Sequence, residues 1–159
     1  MTPAIRLLKK QKIQYKVHQY EHENSSLSFG EEAAQKLDTA PEKIFKTLVV
    51  KTNDDNFAVG VICVSSKLNL KSMAKALGVK KVTMADAKDV EKITGYILGG
   101  VSPLGQKKRL KTILDISSKD LDTIFVSGGK RGLDVELSPL DLQRLLNATF
   151  EKIMEDIKC

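Results

Sequence analysis

Apolar and polar positions along this chain repeat at two spacings, helical and alternating, and the chain switches between them every eight to twelve residues or so. Behind Thr2-Pro3, an N-cap followed by a first-turn proline, Ala4, Leu7 and Leu8 fall on one helical face, and Lys9, Lys10 and Lys12 follow where cations suit a helix C-terminus. Residues 14–20 are rich enough in β-branched and aromatic side chains for a strand ending at Tyr20, and a polar loop covers 21–28. A helix over 29–37 with acidic residues in its first turn is broken by Ala40-Pro41. Residues 44–52 read as a strand whose apolar start is interrupted by Lys46. The turn 53–56 and the returning strand 57–64 complete a hairpin. Asn69 caps a helix with Leu70, Met73, Ala74 and Leu77 on one stripe, stopped by Gly78. A short strand over 82–85, a brief helix over 86–93 and strands over 111–116, 123–127 and 133–137 come next. Ser138-Pro139-Leu140-Asp141 then opens a last helix whose stripe is Leu142, Leu145, Leu146, Phe150, Ile153 and Ile157.

Hairpins and helices in this order lack regular βαβ alternation. The pattern predicts an α+β fold: one domain over residues 1–159, with a mixed, mostly antiparallel, partly barrel-like sheet surrounded by helices. A chain of 159 residues buries a core without staples. Its net charge of +6 favours an anionic partner, nucleic acid above all. No apolar run approaches membrane-spanning length and the N-terminus lacks a secretory pattern, so a cytoplasmic protein with no membrane partner is expected. Cys63, inside an apolar strand, reads as a buried reduced thiol, far in sequence from Cys159. With His18 and His22 as the only histidines and no Cys-x-x-Cys, a metal site is not expected.

One stretch departs from this ordinary pattern. Between Thr94 and Arg109, sixteen residues hold four glycines, one proline and three consecutive cations, Lys107, Lys108 and Arg109. A Walker A loop would need Lys-Ser/Thr after its last glycine, and Gly105 is followed by Gln106-Lys107-Lys108. Two readings remain, of equal weight: a backbone-amide pocket for an oxyanion built on Gly99-Gly100, or a tight strand connection with a solvated basic end. A second cluster, Gly128-Gly129-Lys130-Arg131-Gly132, matches the Gly-x-x-Gly clamp of KH domains, but it joins two strands where that clamp joins two helices. Ser127 has no histidine or carboxylate at triad spacing and no Gly-x-Ser-x-Gly elbow. Lys46 is the other anomaly. Alternation favours an outward-facing lysine by roughly two to one, against a lysine turned inward for a reason.

Four segments together carry a resemblance: Thr2-Pro3-Ala4, Phe45-Lys46-Thr47-Leu48, Gly99-Gly100-Val101-Ser102-Pro103-Leu104-Gly105-Gln106-Lys107-Lys108-Arg109 and Val126-Ser127-Gly128-Gly129-Lys130-Arg131-Gly132-Leu133. In this order and spacing, over nearly the whole chain, they resemble the YbaK family and, within it, the Cys-tRNA(Pro) deacylases. Val101 stands where the family often has isoleucine. The resemblance implies trans-editing, the release of cysteine wrongly joined to tRNA(Pro), by an editing domain related to that of prolyl-tRNA synthetase. It implies catalytic roles for Lys46, Gly99 and Gly100, and substrate binding by Tyr20, Phe29, Thr47, Ser127 and Gly128. It also implies that Lys107, Lys108, Arg109, Lys130 and Arg131 grip the tRNA. The implied chemistry is substrate-assisted: the cysteine thiol attacks its own carbonyl carbon and leaves as a thiolactone, with no cofactor, metal or protein nucleophile. The implied partners are cysteine-charged tRNA(Pro) and prolyl-tRNA synthetase. Two rivals stay open at this point, a deacylase for another small amino acid on tRNA(Pro) and a non-catalytic RNA- or DNA-binding module.

Overall fold

The computed structural model describes residues 1–21 and 28–155. Its elements, in chain order, are α1 (Pro3–Gln11), β1 (Tyr15–Gln19), α2 (Phe29–Lys36), β2 (Phe45–Thr52), β3 (Phe57–Cys63), α3 (Leu70–Leu77), β4 (Val82–Met84), α4 (Ala87–Thr94), β5 (Lys111–Asp115), β6 (Ile124–Lys130), β7 (Leu133–Leu137), α5 (Pro139–Leu146) and β8 (Thr149–Glu151). Side-chain caps set the helix starts. Thr2 Oγ1 accepts from the Ile5 N–H, Ser28 from Glu31, Asn69 from Ser72 and Ser138 from Leu140. The β2–β3 hairpin turns at the polar residues between Thr52 and Phe57, where Thr52 N–H donates to Asn56 C=O at 2.8 Å.

The strands form two sheets, β4-β2-β3-β5-β8 and β1-β7-β6. The smaller is antiparallel throughout, and the larger adds β5 and β8 in parallel to an antiparallel half. A parallel bridge between Ile44 and Phe125 joins the two sheets at one corner. That bridge is the only barrel-like feature among the described residues. Each sheet keeps its edge strands, so the two sheets meet at this corner without closing into a barrel. The main core lies between them, around Leu8, Val59, Leu114, Val126, Val135 and Leu142. A second apolar layer, with Val50, Ile62, Met73, Ile113 and Ile153, packs α3 and the end of the described chain on the other face of the larger sheet. A third, small cluster of Ala33, Ile44 and Phe125 sits beneath α2, beside the corner.

The last helix is shorter than its stripe predicts. Asn147 takes a left-handed conformation (φ 51°) and ends α5, and Gln143 caps the turn through Nε2 to the Ala148 carbonyl at 2.8 Å. The chain then pairs with the open edge of β5, placing Phe150 opposite Leu114. The buried Asp115 carboxylate fixes the residues after β8 by accepting the Ile153 and Met154 N–H groups at 2.9 and 3.2 Å. Ile157 lies outside the described residues. Strand β6 also runs further than expected, carrying Gly128 and Gly129 to Lys130 with a bulge after Ser127.

Close contacts at glycines join the N-terminus to both glycine clusters, through the Pro3 backbone and the Thr2 side chain. A Cβ on Gly105 would lie 2.6 Å from the Pro3 carbonyl carbon, and one on Gly100 would lie 2.7 Å from Lys130 Cα. One on Gly129 would meet Tyr96 Cε1 at 2.9 Å and Thr2 Cβ at 3.0 Å. The Thr2 hydroxyl donates to the Gly128 carbonyl, and the buried Tyr96 hydroxyl donates to the Leu104 carbonyl at 2.7 Å. Gly105 also needs a positive φ of 68°. Gly105→Ala is therefore expected to cost more than about 2 kcal/mol of stability, from strain and clash together. Gly78→Ala, with a similar φ of 72° and open space around it, should cost only about 1 kcal/mol. Urea unfolding of the two variants checks this, and equal losses would mean that the Pro3 contact carries no weight.

Candidate active site

A cavity of about 370 Å³ opens at the corner where the two sheets meet, with α2 forming one wall. Ile44, Phe45, Ala33 and Val64 make its apolar side. Helix α2 is held close: a Cβ on Gly30 would lie 2.6 Å from Val64 Cβ, and Arg131 Nε donates to the buried Glu32 carboxylate at 3.3 Å. Facing that apolar side are Tyr20, Lys46, Thr47, Gly99, Ser127, Lys130 and Asp134.

Lys46 follows Phe45 at the start of β2, opposite Ile62. It is partly buried at the cavity wall, so the solvated outward lysine favoured by alternation is not what the fold builds. Burial lowers its pKa, the Cys63 sulfur opposes that shift, and the like charge of Lys67 adds to it. Beside it, Thr47 Oγ1 is buried with no hydrogen-bond partner, an unmet polar atom at the wall of a cavity. Tyr20 donates its backbone N–H to Gly132 C=O at 2.9 Å. Its hydroxyl is pushed up to about 12, first by burial and then by the charges of Asp134 and Glu32, so it stays a neutral donor.

Ser127 accepts the Gly129 N–H at 3.1 Å, and no histidine among the described residues meets it. His18 Nε2 instead lies 3.0 Å from Glu136 Oε1, and its ring leans on Phe125 with centroids 4.9 Å apart. Directly opposite Ser127 in the β6–β7 ladder stands Asp134, a residue that sequence reasoning passes over. Asp134 is 7% exposed, and burial pushes its carboxyl pKa up to about 7. In Leu133-Asp134-Val135-Glu136-Leu137 the apolar residues fill the core, so alternation assigns Asp134 to solvent. The corner cavity covers that face instead. The available signal is register: an antiparallel hairpin with Ser127 on one arm sets Asp134 across from it.

The first glycine cluster divides its work. Ile97-Leu98-Gly99-Gly100 is a type II turn, closed by Gly100 N–H to Ile97 C=O at 3.0 Å, with Gly99 at the position that requires positive φ, here 92°. The Gly100 N–H is therefore committed, and the expected pair of free amides reduces to one. Gly99 lines the cavity, and its N–H donates to no acceptor among the described residues. Gly128 lies off the cavity, its carbonyl tied to Thr2. The Phe29 side chain lies outside what is described, as does His22.

The cations separate in the same way. Lys130 reaches the cavity rim, whereas Arg131 is engaged with Glu32. Lys108 and Arg109 line a different, shallow cleft with Leu7, Pro103 and Leu145, and Lys107 belongs to neither. Among the described residues no three His, Cys, Asp or Glu side chains are grouped to hold a metal ion, and no helix is long and apolar enough to cross a membrane.

Over residues 24–145 the chain matches the aminoacyl-tRNA editing domain. EbsC of Enterococcus faecalis, provisionally named a Cys-tRNA(Pro)/Cys-tRNA(Cys) deacylase, is 41% identical over 152 residues, 96% of this chain and 92% of EbsC. A proline–tRNA ligase of Brachyspira hyodysenteriae is 27% identical over 111 residues, 70% of this chain and 19% of the ligase. A crystal structure described provisionally as a trans-editing enzyme for prolyl-tRNA synthetase shares the fold, with a TM-score of 0.84 at 22% identity over 98% of this chain and 99% of that one. The chain belongs to the aminoacyl-tRNA editing domain family, the YbaK family that its four motifs resemble.

Proposed function

We propose that this protein is a trans-editing deacylase that removes cysteine from cysteinyl-tRNA(Pro), with prolyl-tRNA synthetase as a docking partner. The observation that carries this reading is the corner cavity, where Lys46, Gly99, Tyr20 and the Thr47 hydroxyl face an apolar wall, and where, among the described residues, the Gly99 N–H and Thr47 Oγ1 have no partner and no histidine meets Ser127. A site of that kind suits a substrate that brings its own nucleophile. The kinship with EbsC supports cysteine as the acyl group.

In the proposed reaction the cysteine sulfur attacks its own carbonyl carbon. A C–S bond forms, the ester C–O bond breaks, and a four-membered thiolactone departs, later opened by water. Asp134 takes the thiol proton and returns it to the ribose oxygen as that oxygen leaves, so the carboxylate is regenerated. The Gly99 N–H stabilises the oxyanion, and the Lys46 ammonium holds the ester end of the RNA. Lys130 at the rim, with Lys107, Lys108 and Arg109 further along the glycine loop, grips phosphates without reading sequence.

A deacylation panel tests the reading: Cys-tRNA(Pro), Ser-tRNA(Pro), Ala-tRNA(Pro) and Pro-tRNA(Pro), each with and without prolyl-tRNA synthetase. Multiple turnovers on the cysteinyl substrate and far slower release of serine are expected. Equal rates for serine and cysteine would mean that water attacks directly, and preference for alanine would assign a different substrate. Lys46→Ala should fold normally and lose roughly 100-fold or more in rate, the scale of removing one preorganised polar group. Near-full activity in that variant would remove Lys46 from the mechanism.

Asp134 gives a pH signature of known sign. Its pKa is raised on folding, so between about 4, where an unfolded aspartate titrates, and about 7, the folded state holds a proton that the unfolded chain has released. The resulting contribution to stability is full below about 4 and is lost as pH rises through 7, on the order of a few kcal/mol. Asp134→Asn should flatten that decline in thermal melts taken from pH 4 to 8. Wild type is expected to deacylate faster as pH rises through about 7 and the carboxylate forms, and the same variant should lose that rise. Retention of both pH dependences in Asp134→Asn would assign them to another group.

A further inference from the structure

Ile97 and Leu98 are adjacent, 64% and 58% exposed, and absent from all three apolar clusters. Met1 aside, no large apolar side chain among the described residues is more exposed. A single exposed aliphatic residue needs no explanation, but two neighbours on one hydrogen-bonded turn, of which Leu98 lines the cavity, form a surface. The turn is held by its own Gly100 to Ile97 hydrogen bond and by the seating of Gly100 against the Lys130 backbone.

Resting on the proposed function, we infer that Ile97 and Leu98 form a shelf for the 3′-terminal base of the aminoacylated RNA. Three observations converge on that occupant. Leu98 lines the cavity next to Gly99, whose N–H donates to no acceptor among the described residues, so an ester carbonyl bound at Gly99 would bring its ribose to the Leu98 rim. The base on that same ribose is the one large flat apolar group within reach of the ester, and stacking on a side chain needs no particular base identity. Lys130, exposed and on the same rim, has the charge to take the phosphate that precedes the terminal nucleoside. The cavity then holds the amino acid while the shelf recognises that the ester belongs to an RNA end, which separates aminoacyl-RNA from other cysteine esters.

Binding of uncharged RNA tests this apart from catalysis. Fluorescence anisotropy compares an acceptor-stem RNA ending in its terminal adenosine with the same RNA lacking that one nucleoside, with no synthetase present. Wild type should bind the complete end roughly tenfold more tightly. Ile97→Ser/Leu98→Ser should abolish that difference, while Ile97→Phe/Leu98→Phe, which keeps an apolar surface, should retain it, with thermal melts showing both variants folded. A difference that survives in the serine variant, or none in wild type, overturns the shelf. A serine variant impaired only when prolyl-tRNA synthetase is added also overturns it, and assigns the two side chains to a protein contact. Failure of the deacylase reading would appear separately, in the turnover panel.

Discussion

Backbone packed directly on backbone is the constraint on which this site depends. Gly105 lies on the Pro3 backbone and Gly100 on the Lys130 backbone with no side chain as a spacer, and Gly129 leaves room for the Thr2 and Tyr96 side chains, so three stretches far apart in sequence meet. Side-chain packing tolerates rotamer changes, and backbone packing does not, because a single added methyl forces whole segments apart. The turn carrying Gly99 and the hairpin carrying Ser127, Lys130 and Asp134 are thereby set against one another. Positional precision of this kind matters for an enzyme that aligns reactants, where a misplacement of about 1 Å costs on the order of 100-fold in rate.

The electrostatics of the cavity share one cause. Burial lowers the pKa of Lys46, raises Asp134 to about 7 and raises Tyr20 to about 12. Each shift moves the group toward its neutral form, so the site disfavours resting charge of either sign. A neutral ester is a fitting occupant for such a place. Charge that develops during a reaction there meets dipoles already oriented and little water to screen them. The ion pair close by, from half-buried Arg131 to buried Glu32, holds α2 against the hairpin.

Features governed by neighbours in sequence are legible from it. The caps at Thr2, Asn69 and Ser138 and the β2–β3 hairpin follow from short-range hydrogen bonding and turn chemistry, and the structure keeps them. The features that pattern misses depend on partners elsewhere in the chain. The stripe from Leu142 to Ile153 is helical in spacing throughout, yet the open edge of β5 and the Asp115 carboxylate capture its second half as extended chain. Asp134 alternates like a surface residue because alternation records which residues leave one core, not what covers the opposite face. Lys46 stands out as an anomaly, but pattern alone cannot weigh a solvated lysine against one desolvated by a cavity that the other sheet helps to build.

The glycine motif itself is visible in the sequence, but the division of labour within it is not. In Gly99-Gly100 the first residue lines the cavity and its N–H donates to no acceptor among the described residues, and the second spends its N–H on the turn and its missing Cβ on the Lys130 backbone. Adjacent identical residues thus have different surroundings, one at the cavity and one packed on backbone, and only three-dimensional contact separates them. The same loop continues through Pro103 and Gly105 to Lys108 and Arg109 at a second cleft, so a single covalent path joins the Gly99 amide to a cationic patch outside the cavity. Gly105 pins the middle of that path to Pro3. If RNA engages the basic end, the pinned segment keeps the load from reaching the amide, and grip and chemistry share one loop without disturbing each other.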